Sequence, residues 1–323
     1  MKKTIFAIIA TAAMVACSND EIISQAAPEA IGFNNAFVDN STRSANDPSF
    51  TNDDESIFED FAVYGFVENA VLFNGTRVSK EIVNNSLSSA WKYEGTQYWI
   101  AGADYNFSAV APLTGADWTL ESSSAAGLEL AFTNNGGVQD VLYAQTQTIE
   151  GKASGNLAVA LTFRHILSKV KFSFENAYNA DNTTIRVSNI RITNAHASGD
   201  VALGYNTTEW DNQSGSVELA FGNATTDDAV VADAVAFGFG TTLESYNELL
   251  LIPGAVTGGY EIAYTYEILV NGSPVQSFNK TATVDFTPEA GHAYDFKATI
   301  TPGEAIEFTV SVEDWTNEAE TTM

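Results

Sequence analysis

Short runs that alternate apolar and polar residues, each ended by turn residues, are the feature that most constrains the fold. In the segment 306–313, Ile, Phe, Val and Val alternate with Glu, Thr, Ser and Glu, which places the apolar side chains on one face of an extended strand. Asn271-Gly272 separates two further runs, Tyr260–Val270 and Val275–Phe286, and such a pair is the strongest short signal for a hairpin. No long segment shows the 3.6-residue periodicity of an amphipathic helix. The sequence therefore predicts an all-β protein.

Other β-rich runs predict strands in both halves of the chain. Ile306–Trp315 is predicted to be the last strand of the fold rather than a free arm, because the residues after it are polar except for Ala319 and Met323. The remaining predicted strands are Ile31–Val38, Phe61–Val67, Tyr105–Val110, Leu157–Phe163, Val170–Phe174, Ile185–Ile192, Val217–Phe221 and Leu249–Ile252.

The charge balance excludes some classes of function. The chain has 14 Lys and Arg residues against 41 Asp and Glu residues, so its formal net charge is -27. So few bases cannot neutralise many phosphates, which argues against nucleic-acid binding. Hydrophobic residues make up 45% of the chain, enough to bury a core, so wholesale disorder is excluded as well.

The N-terminus has the features of an export signal. Lys2 and Lys3 precede the apolar run Ile5–Ala16, which is shorter than the ~20 residues that a membrane-spanning helix needs. Residues 1–16 are therefore predicted to be a signal peptide. Met14-Val-Ala-Cys17 is the pattern of a bacterial lipobox, which predicts lipid attachment to Cys17. The polar, acidic run Ser18–Glu21 resembles the signal that sends bacterial lipoproteins to the outer leaflet of the outer membrane, which implies an anchored protein exposed at the cell surface. The alternative is an ordinary signal peptide followed by an unmodified Cys.

The length after the signal peptide suits two domains. Removing residues 1–16 leaves 323 - 16 = 307 residues, more than one ordinary β-sandwich uses. The polar, glycine-containing segment Glu150–Asn156 predicts a boundary. We expect a lipid-anchored tether at 17–30, an N-terminal β-sandwich at 31–155 and a C-terminal β-sandwich at 156–323.

The sequence contains no recognisable catalytic motif. A nucleophile elbow, a P-loop, an H-E-x-x-H helix and a C-x-x-C pair are all missing from it. His165 follows a predicted strand, which suggests a packing or hydrogen-bonding role at a strand end, and His196 and His292 fall in predicted loops. The prediction is a protein that is not an enzyme, with no catalytic residue, no cofactor and no metal site.

Several short motifs occur in an order that resembles a known family. Asp140–Ala144 and Phe163–Val170 are the two motifs that support the resemblance most strongly. The complete set is Cys17–Glu21, Ile31–Phe33, Thr42-Arg43, Phe61–Phe66, Tyr105–Pro112, Asp140–Ala144, Leu161–Val170, Leu249–Pro253 and Val310–Trp315. Together they resemble the fimbrillin family of Bacteroidales, which includes the type V pilins, over nearly the whole chain.

The resemblance implies a fold and a mode of assembly. It implies two tandem transthyretin-like, Greek-key β-sandwich domains in a lipoprotein that becomes a structural or tip subunit of a fimbria. An arginine-specific protease cuts such proteins after their first strand, and Arg43 and Ser44 occupy that position here. The opened groove then accepts a strand from another fimbrial subunit. The implied partners are other fimbrial subunits, the protease, and a host protein or glycan as ligand. The alternative is that Arg43 is a solvent-facing residue without a role.

A second function stays open at this point. A surface lipoprotein that captures glycans for nutrition also fits an exported all-β chain with several aromatic residues. Arg43 separates the two hypotheses, because a glycan binder has no reason to place an arginine in a polar segment after its first strand.

Overall fold

The described part of the chain is built from β-strands. The computed structural model describes residues 28–38, 60–83, 86–113, 117–226, 233–301, 303 and 306–315. Every regular element in these ranges is a strand, so the prediction of an all-β protein is confirmed. Among these residues there is no helix with the length and hydropathy that crossing a membrane requires.

The strands are numbered in chain order. Those of the first half are β1 Phe33–Val38, β2 Asp60–Val67, β3 Ala70–Val83, β4 Ser86–Tyr93, β5 Asp104–Ala111, β6 Trp118–Ser124, β7 Gly127–Thr133, β8 Leu142–Gln145, β9 Ile149–Glu150 and β10 Val159–His165. Next come β11 Ser168–Asn176, β12 Thr183–Ala195, β13 Ser198–Gly204, β14 Thr207–Ser214, β15 Val217–Gly222 and β16 Ala224–Thr225. The last are β17 Ala236–Phe237, β18 Thr242–Ser245, β19 Leu249–Leu251, β20 Tyr260–Val270, β21 Ser273–Val284, β22 His292–Ile300 and β23 Phe308–Asp314.

An eight-stranded sheet contains the first strand. Its order is β1-β10-β8-β5-β2-β3-β4, with β9 beside β5. Neighbours run antiparallel except β1 and β10, which are parallel. The segment before β1 also bonds to the chain that follows β4, because Ile31 N donates to Gln97 O at 2.8 Å and Trp99 N donates to Glu29 O at 3.0 Å. The sheet is thereby closed on itself around an aromatic core.

A four-stranded sheet covers the other face of the first one. Its order is β14-β13-β7-β6, all antiparallel. Alternate residues of β2 serve two cores: Phe61 and Val63 belong to the core inside the curved sheet, and Ala62 and Tyr64 belong to the core beneath the four-stranded sheet. With apolar residues required on both faces, β2 is buried along nearly its whole length rather than alternating.

Two further sheets enclose a separate core in the second half. One has the order β16-β18-β11-β22-β23 with β19 on β11, and the other has the order β15-β12-β20-β21 with β17 on β12. The buried side chains between them are mostly aromatic and β-branched, and Phe172, Phe174 and Phe296 are fully buried. The β20–β21 hairpin turns at Asn271-Gly272, both at positive φ, as the sequence predicts.

The sheets do not divide where the domain boundary is expected. Strand β10 lies after residue 156, yet it pairs with β1 and β8 of the eight-stranded sheet. The hairpin β13–β14 lies later still and pairs with β7. A polar, glycine-containing segment such as Glu150–Asn156 suits a loop within one sheet as well as a linker between two domains. Sequence composition alone therefore does not distinguish a loop from a linker. The division at 155/156 and the transthyretin-like topology stay predictions.

Candidate functional site: the groove of the first strand

Ile31, just before β1, and Phe33, its first residue, fill an aromatic groove. Ile31 is 2% exposed and Phe33 is 5% exposed. The ring of Phe33 meets its aromatic neighbours edge to face, a favourable arrangement because the positive edge of one ring faces the negative face of another. The ring centroids lie 6.1 Å from Phe61, 5.7 Å from Phe73, 5.8 Å from Tyr93 and 6.0 Å from Phe107.

The backbone of this region is bonded on both sides. On one side Val159 N donates to Gly32 O at 2.7 Å, and β1 continues in parallel register with β10. On the other side lie the bonds to Gln97 and Trp99, and the Tyr93 hydroxyl donates to Ile31 O at 2.8 Å. Removing residues 29–38 would therefore leave unpaired main-chain groups along both walls of the groove, and buried main-chain groups without partners are costly.

Glu29 fastens the start of this segment to the loop before β10. Its carboxylate accepts hydrogen bonds from Gly155 N at 2.7 Å, Asn156 N at 2.6 Å and Asn156 Nδ2 at 2.8 Å. The bond from Gly155 N, followed by those from Asn156, lowers the pKa of Glu29 below its ordinary value, because all three stabilise the carboxylate. Glu29 is half-buried, so solvent weakens these hydrogen bonds only in part.

The groove is suited to holding an extended chain. Its floor supplies an apolar aromatic pocket and its walls supply main-chain donors and acceptors, the two features by which a protein takes up a strand from outside. Burial of Ile31 and Phe33 contributes about 1.5–3 kcal/mol each. That is a large share of a typical free energy of unfolding of about 5–15 kcal/mol. A groove emptied of its strand would therefore favour a replacement.

The residues predicted for lipid attachment and processing fall outside the described residues. Cys17 precedes the first described range, and Arg43 and Ser44 belong to the segment 39–59 between β1 and β2 in the sequence. What the structure describes is the strand before the predicted cleavage point. The side chains of Ile31 and Phe33 are buried there, as the apolar pattern predicts.

A second cluster joins β10 to the end of the last strand. His165 Nδ1 donates to the Asp140 carboxylate, and both side chains are buried. The imidazole stacks on the indole of Trp315, with ring centroids 3.6 Å apart and an interplanar angle of 9°. The Lys169 ammonium lies 5.3 Å from the Trp315 ring centroid, within reach of a cation–π interaction. The predicted packing and hydrogen-bonding role of His165 is confirmed, whereas its contact with Trp315 was not foreseen, because the two residues are distant in sequence.

The described residues include no group of three His, Cys, Asp or Glu side chains arranged to hold a metal ion. His196 contacts Ala255 O at 3.2 Å and His292 contacts Ala290 O at 3.0 Å, so each histidine interacts with a nearby carbonyl. His196 lies in the loop between β12 and β13, as predicted, whereas the loop prediction for His292 is wrong, because His292 is the first residue of β22.

Comparisons with known proteins bear on the family. The family described as fimbrillin-like matches residues 42–315. A fimbrial protein from Bacteroides vulgatus has a TM-score of 0.61 at 18% sequence identity, covering 89% of this chain and 99% of that one. A candidate cell adhesion protein from Bacteroides ovatus has a TM-score of 0.51 at 17% identity, covering 91% of this chain and 100% of that one.

No curated protein matches the sequence. At such low identities the two solved structures show a shared fold and nothing more. The family match is independent of them and runs from Thr42 to Trp315, which is most of the 323 residues. The chain belongs to the fimbrillin-like family.

Proposed function

We propose that this chain is a fimbrial subunit that is assembled by strand exchange. Cleavage of the Arg43-Ser44 bond releases the segment that contains β1, and a strand from another subunit enters the vacated groove. The observation that carries the proposal is the placement of residues 29–38. Strand β1 pairs with β10, the segment before it bonds to the chain after β4 through Glu29 and Ile31, and the side chains of Ile31 and Phe33 are buried. A protein that conceals such a groove with its own strand avoids pairing before it is processed.

The sequence around the cleavage point supports the same proposal. Asp39–Pro48 is polar and rich in turn residues, and proteases cut such segments preferentially. Only 14 residues of the chain are Lys or Arg, so few sites compete with Arg43 for an arginine-specific protease. Cleavage there would separate the subunit from an anchor at Cys17 and leave 323 - 43 = 280 residues held by partners alone.

The last strand supports a subunit that accepts a strand without supplying one. Strand β23 pairs antiparallel with β22 from His292↔Asp314 to Ala298↔Phe308. Trp315, directly after it, is 5% exposed and stacks on His165. A strand held at both ends in its own fold is poorly suited to donation, which fits a tip position better than a stalk position. At a tip, the ligand would be a host protein or a glycan.

The experiment that tests processing compares three variants with the parent chain, all expressed in a fimbriated host. Arg43→Ala and Arg43→Lys should both stay monomeric and membrane-bound, because neither leaves a site for an arginine-specific protease. Thr42→Ala keeps Arg43 and serves as the matched control, which should assemble like the parent. Intact-mass analysis of protein from the cell surface reports the processing point, and entry of Arg43→Lys into fimbriae would show that the proposed switch is wrong.

We also propose that Cys17 carries the lipid that holds the unprocessed subunit on the outer membrane. Multi-chain acylation anchors a protein stably, since each buried methylene contributes about 0.8 kcal/mol. Replacing Cys17 with Ala should abolish labelling by a fatty-acid analogue and release the protein from the membrane fraction. Ser18→Ala, which leaves the thiol in place, is the control. Labelling that persists in Cys17→Ala contradicts the lipid assignment.

A further inference from the structure

A cleft distinct from the β1 groove lies where elements of both halves meet. The end of β10, the hairpin β13–β14 and the loops at 253–254 and 288–292 surround a volume of about 540 Å³. Small-molecule sites in proteins usually occupy about 300–1,000 Å³ and combine an aromatic wall with a few polar groups. This cleft has both, because Trp210 lines it together with Arg164, Gln213 and Glu289.

Hydrogen bonds hold the walls of the cleft in place. The Arg164 guanidinium donates to Gly204 O at 2.8 Å and to Thr207 O at 2.6 Å, which fixes the hairpin turn against β10. The Trp210 indole N–H donates to Ile166 O at 2.8 Å. With its polar atom engaged, the half-buried indole offers only apolar ring surface to the cleft. A wall fixed in this way is preorganised, so little conformational entropy is lost when a ligand binds.

Several polar atoms in the lining have hydrogen-bonding capacity left over. Among the described residues, neither the Glu289 carboxylate nor the Asn206 side chain makes a hydrogen bond or an ion pair. Gln213 uses its Nε2 on Pro253 O, and no donor to its Oε1 occurs in the described part of the chain. His165 Nε2 is buried and has no hydrogen-bond partner within the ranges that the structure describes. A buried polar atom without a partner is costly, so a ligand or solvent that supplies one is favoured.

The charges around the cleft favour an uncharged ligand. The lining includes one positive side chain, Arg164, and one negative side chain, Glu289, along with two histidines. The formal net charge of -27 gives the whole molecule a negative field that disfavours anions. A sugar ring meets these conditions, since its C–H face stacks on an indole and its hydroxyls both donate and accept. Glu289 and Gln213 supply acceptors, and Asn206 supplies a donor as well as an acceptor.

We propose that this cleft binds a neutral mono- or disaccharide. The inference depends on the proposed fimbrial function only in so far as a fimbria displays the cleft at the cell surface. Binding itself requires neither cleavage at Arg43 nor assembly, because no residue of β1 lines the cleft. A failure of the cleft to bind sugars can therefore be distinguished from a failure of the chain to assemble by strand exchange.

The test uses the full chain carrying Cys17→Ala and Arg43→Ala, so that it is neither lipidated at Cys17 nor cleaved at Arg43. Saturation-transfer NMR and calorimetry measure binding of galactose, mannose, N-acetylglucosamine, lactose and maltose. At least one sugar should bind with a Kd of about 0.1–10 mM, the weak range expected of a small polar ligand. If none of the five binds at about 10 mM, the saccharide site is refuted.

Two variants assign the binding to the cleft. Glu289→Gln should weaken binding at least about fivefold, because a carboxylate accepts hydroxyl hydrogen bonds more strongly than an amide does. Glu209→Gln is the matched control, since Glu209 is an exposed carboxylate on β14 that does not line the cleft, and its Kd should match that of the parent. Equal affinities of Glu289→Gln and Glu209→Gln would overturn the assignment. Glu289 makes no side-chain hydrogen bond among the described residues, and thermal unfolding of both variants checks that the fold is kept.

Discussion

The first and last described strands differ in how they are held. Among the described strands, β1 pairs with β10 and β23 pairs with β22, so each stands at the end of its strand order. The segment before β1 adds bonds to the chain after β4, and Ile31 and Phe33 are buried, whereas Val312 of β23 is 55% exposed. The segment with the buried side chains Ile31 and Phe33 is the one that the predicted cleavage point follows. If cleavage releases this segment, the groove that it fills becomes empty.

The largest effect is expected from deleting the last strand. Removal of 305–323 takes away Phe308, whose ring contacts Phe172, Phe174 and Tyr264, and also takes away Trp315. Losing a buried aromatic side chain such as Trp315 costs about 3–5 kcal/mol, and the loss of the half-buried Phe308 and of the β22 pairing adds to it, so the total is large against a typical free energy of unfolding. Circular dichroism and size-exclusion chromatography should show no folded monomer.

A shorter deletion is the control for that experiment. Removing only Thr316–Met323 should leave a folded monomer, because those residues are mostly polar. If the longer deletion instead gives a folded monomer that cannot polymerise, β23 is a donated strand. It would then be β23, and not only β1, that leaves its own fold.

Point substitutions sharpen the comparison further. In the uncleaved chain, Phe33→Ala and Trp315→Ala should each lower the free energy of unfolding by about 3–5 kcal/mol in urea titrations. After cleavage at Arg43 and loss of the first strand, Phe33→Ala should no longer change the free energy of unfolding. Trp315→Ala should still lower it by the same amount. The exposed Val312→Ala serves as the control and should change the free energy by less than about 0.5 kcal/mol. A cleaved chain that still responds to Phe33→Ala has kept its first strand.

The smallest effect concerns the fastening of the first strand by Glu29. Its hydrogen bonds lower the pKa of Glu29 in the folded state, so they stabilise the fold at pH above the unfolded pKa of about 4.3. This contribution is lost as the pH falls through the lower folded pKa. Glu29→Gln should therefore unfold more easily than the parent near pH 6, and the difference should shrink below about pH 4. Glu307→Gln, an exposed carboxylate beside β23, should show no such dependence; a constant difference for Glu29→Gln contradicts the assigned cause.

Local features of the fold were predictable from the sequence, whereas contacts between distant segments were not. Period-two alternation and Asn271-Gly272 predict β20, β21 and β23. The observed bounds of these three strands differ from the predicted ones by no more than two residues at every end. Strand β14 was missed, because its polar, exposed sequence Thr207–Ser214 carries no apolar face to detect. The parallel pairing of β1 with β10 and the joining of β13 to β7 depend on long-range packing, for which a single sequence holds no local signal.

The same limit applies to the candidate sites. Ile31 and Phe33 were predicted as core residues of a first strand, and their burial confirms it. The groove around them could not be predicted, because its floor comes from β2, β3 and β5 and its walls come from β10 and the chain after β4. Arg43 and Ser44 lie outside the described residues, so their role rests on sequence and family alone. The stacking of Trp315 on His165 likewise becomes visible only when the chain is folded.

The parallel pairing of β1 with β10 has a consequence for symmetry. A strand that replaces β1 in its native register must run in the same direction as β10, so it enters the groove in one orientation only. The donor and acceptor surfaces of two subunits are then different surfaces, and their contact is heterologous rather than two-fold symmetric. Heterologous contacts that do not close into a ring produce open filaments whose two ends are unlike. A subunit that accepts a strand in this groove and donates none would therefore occupy one defined end of such a filament.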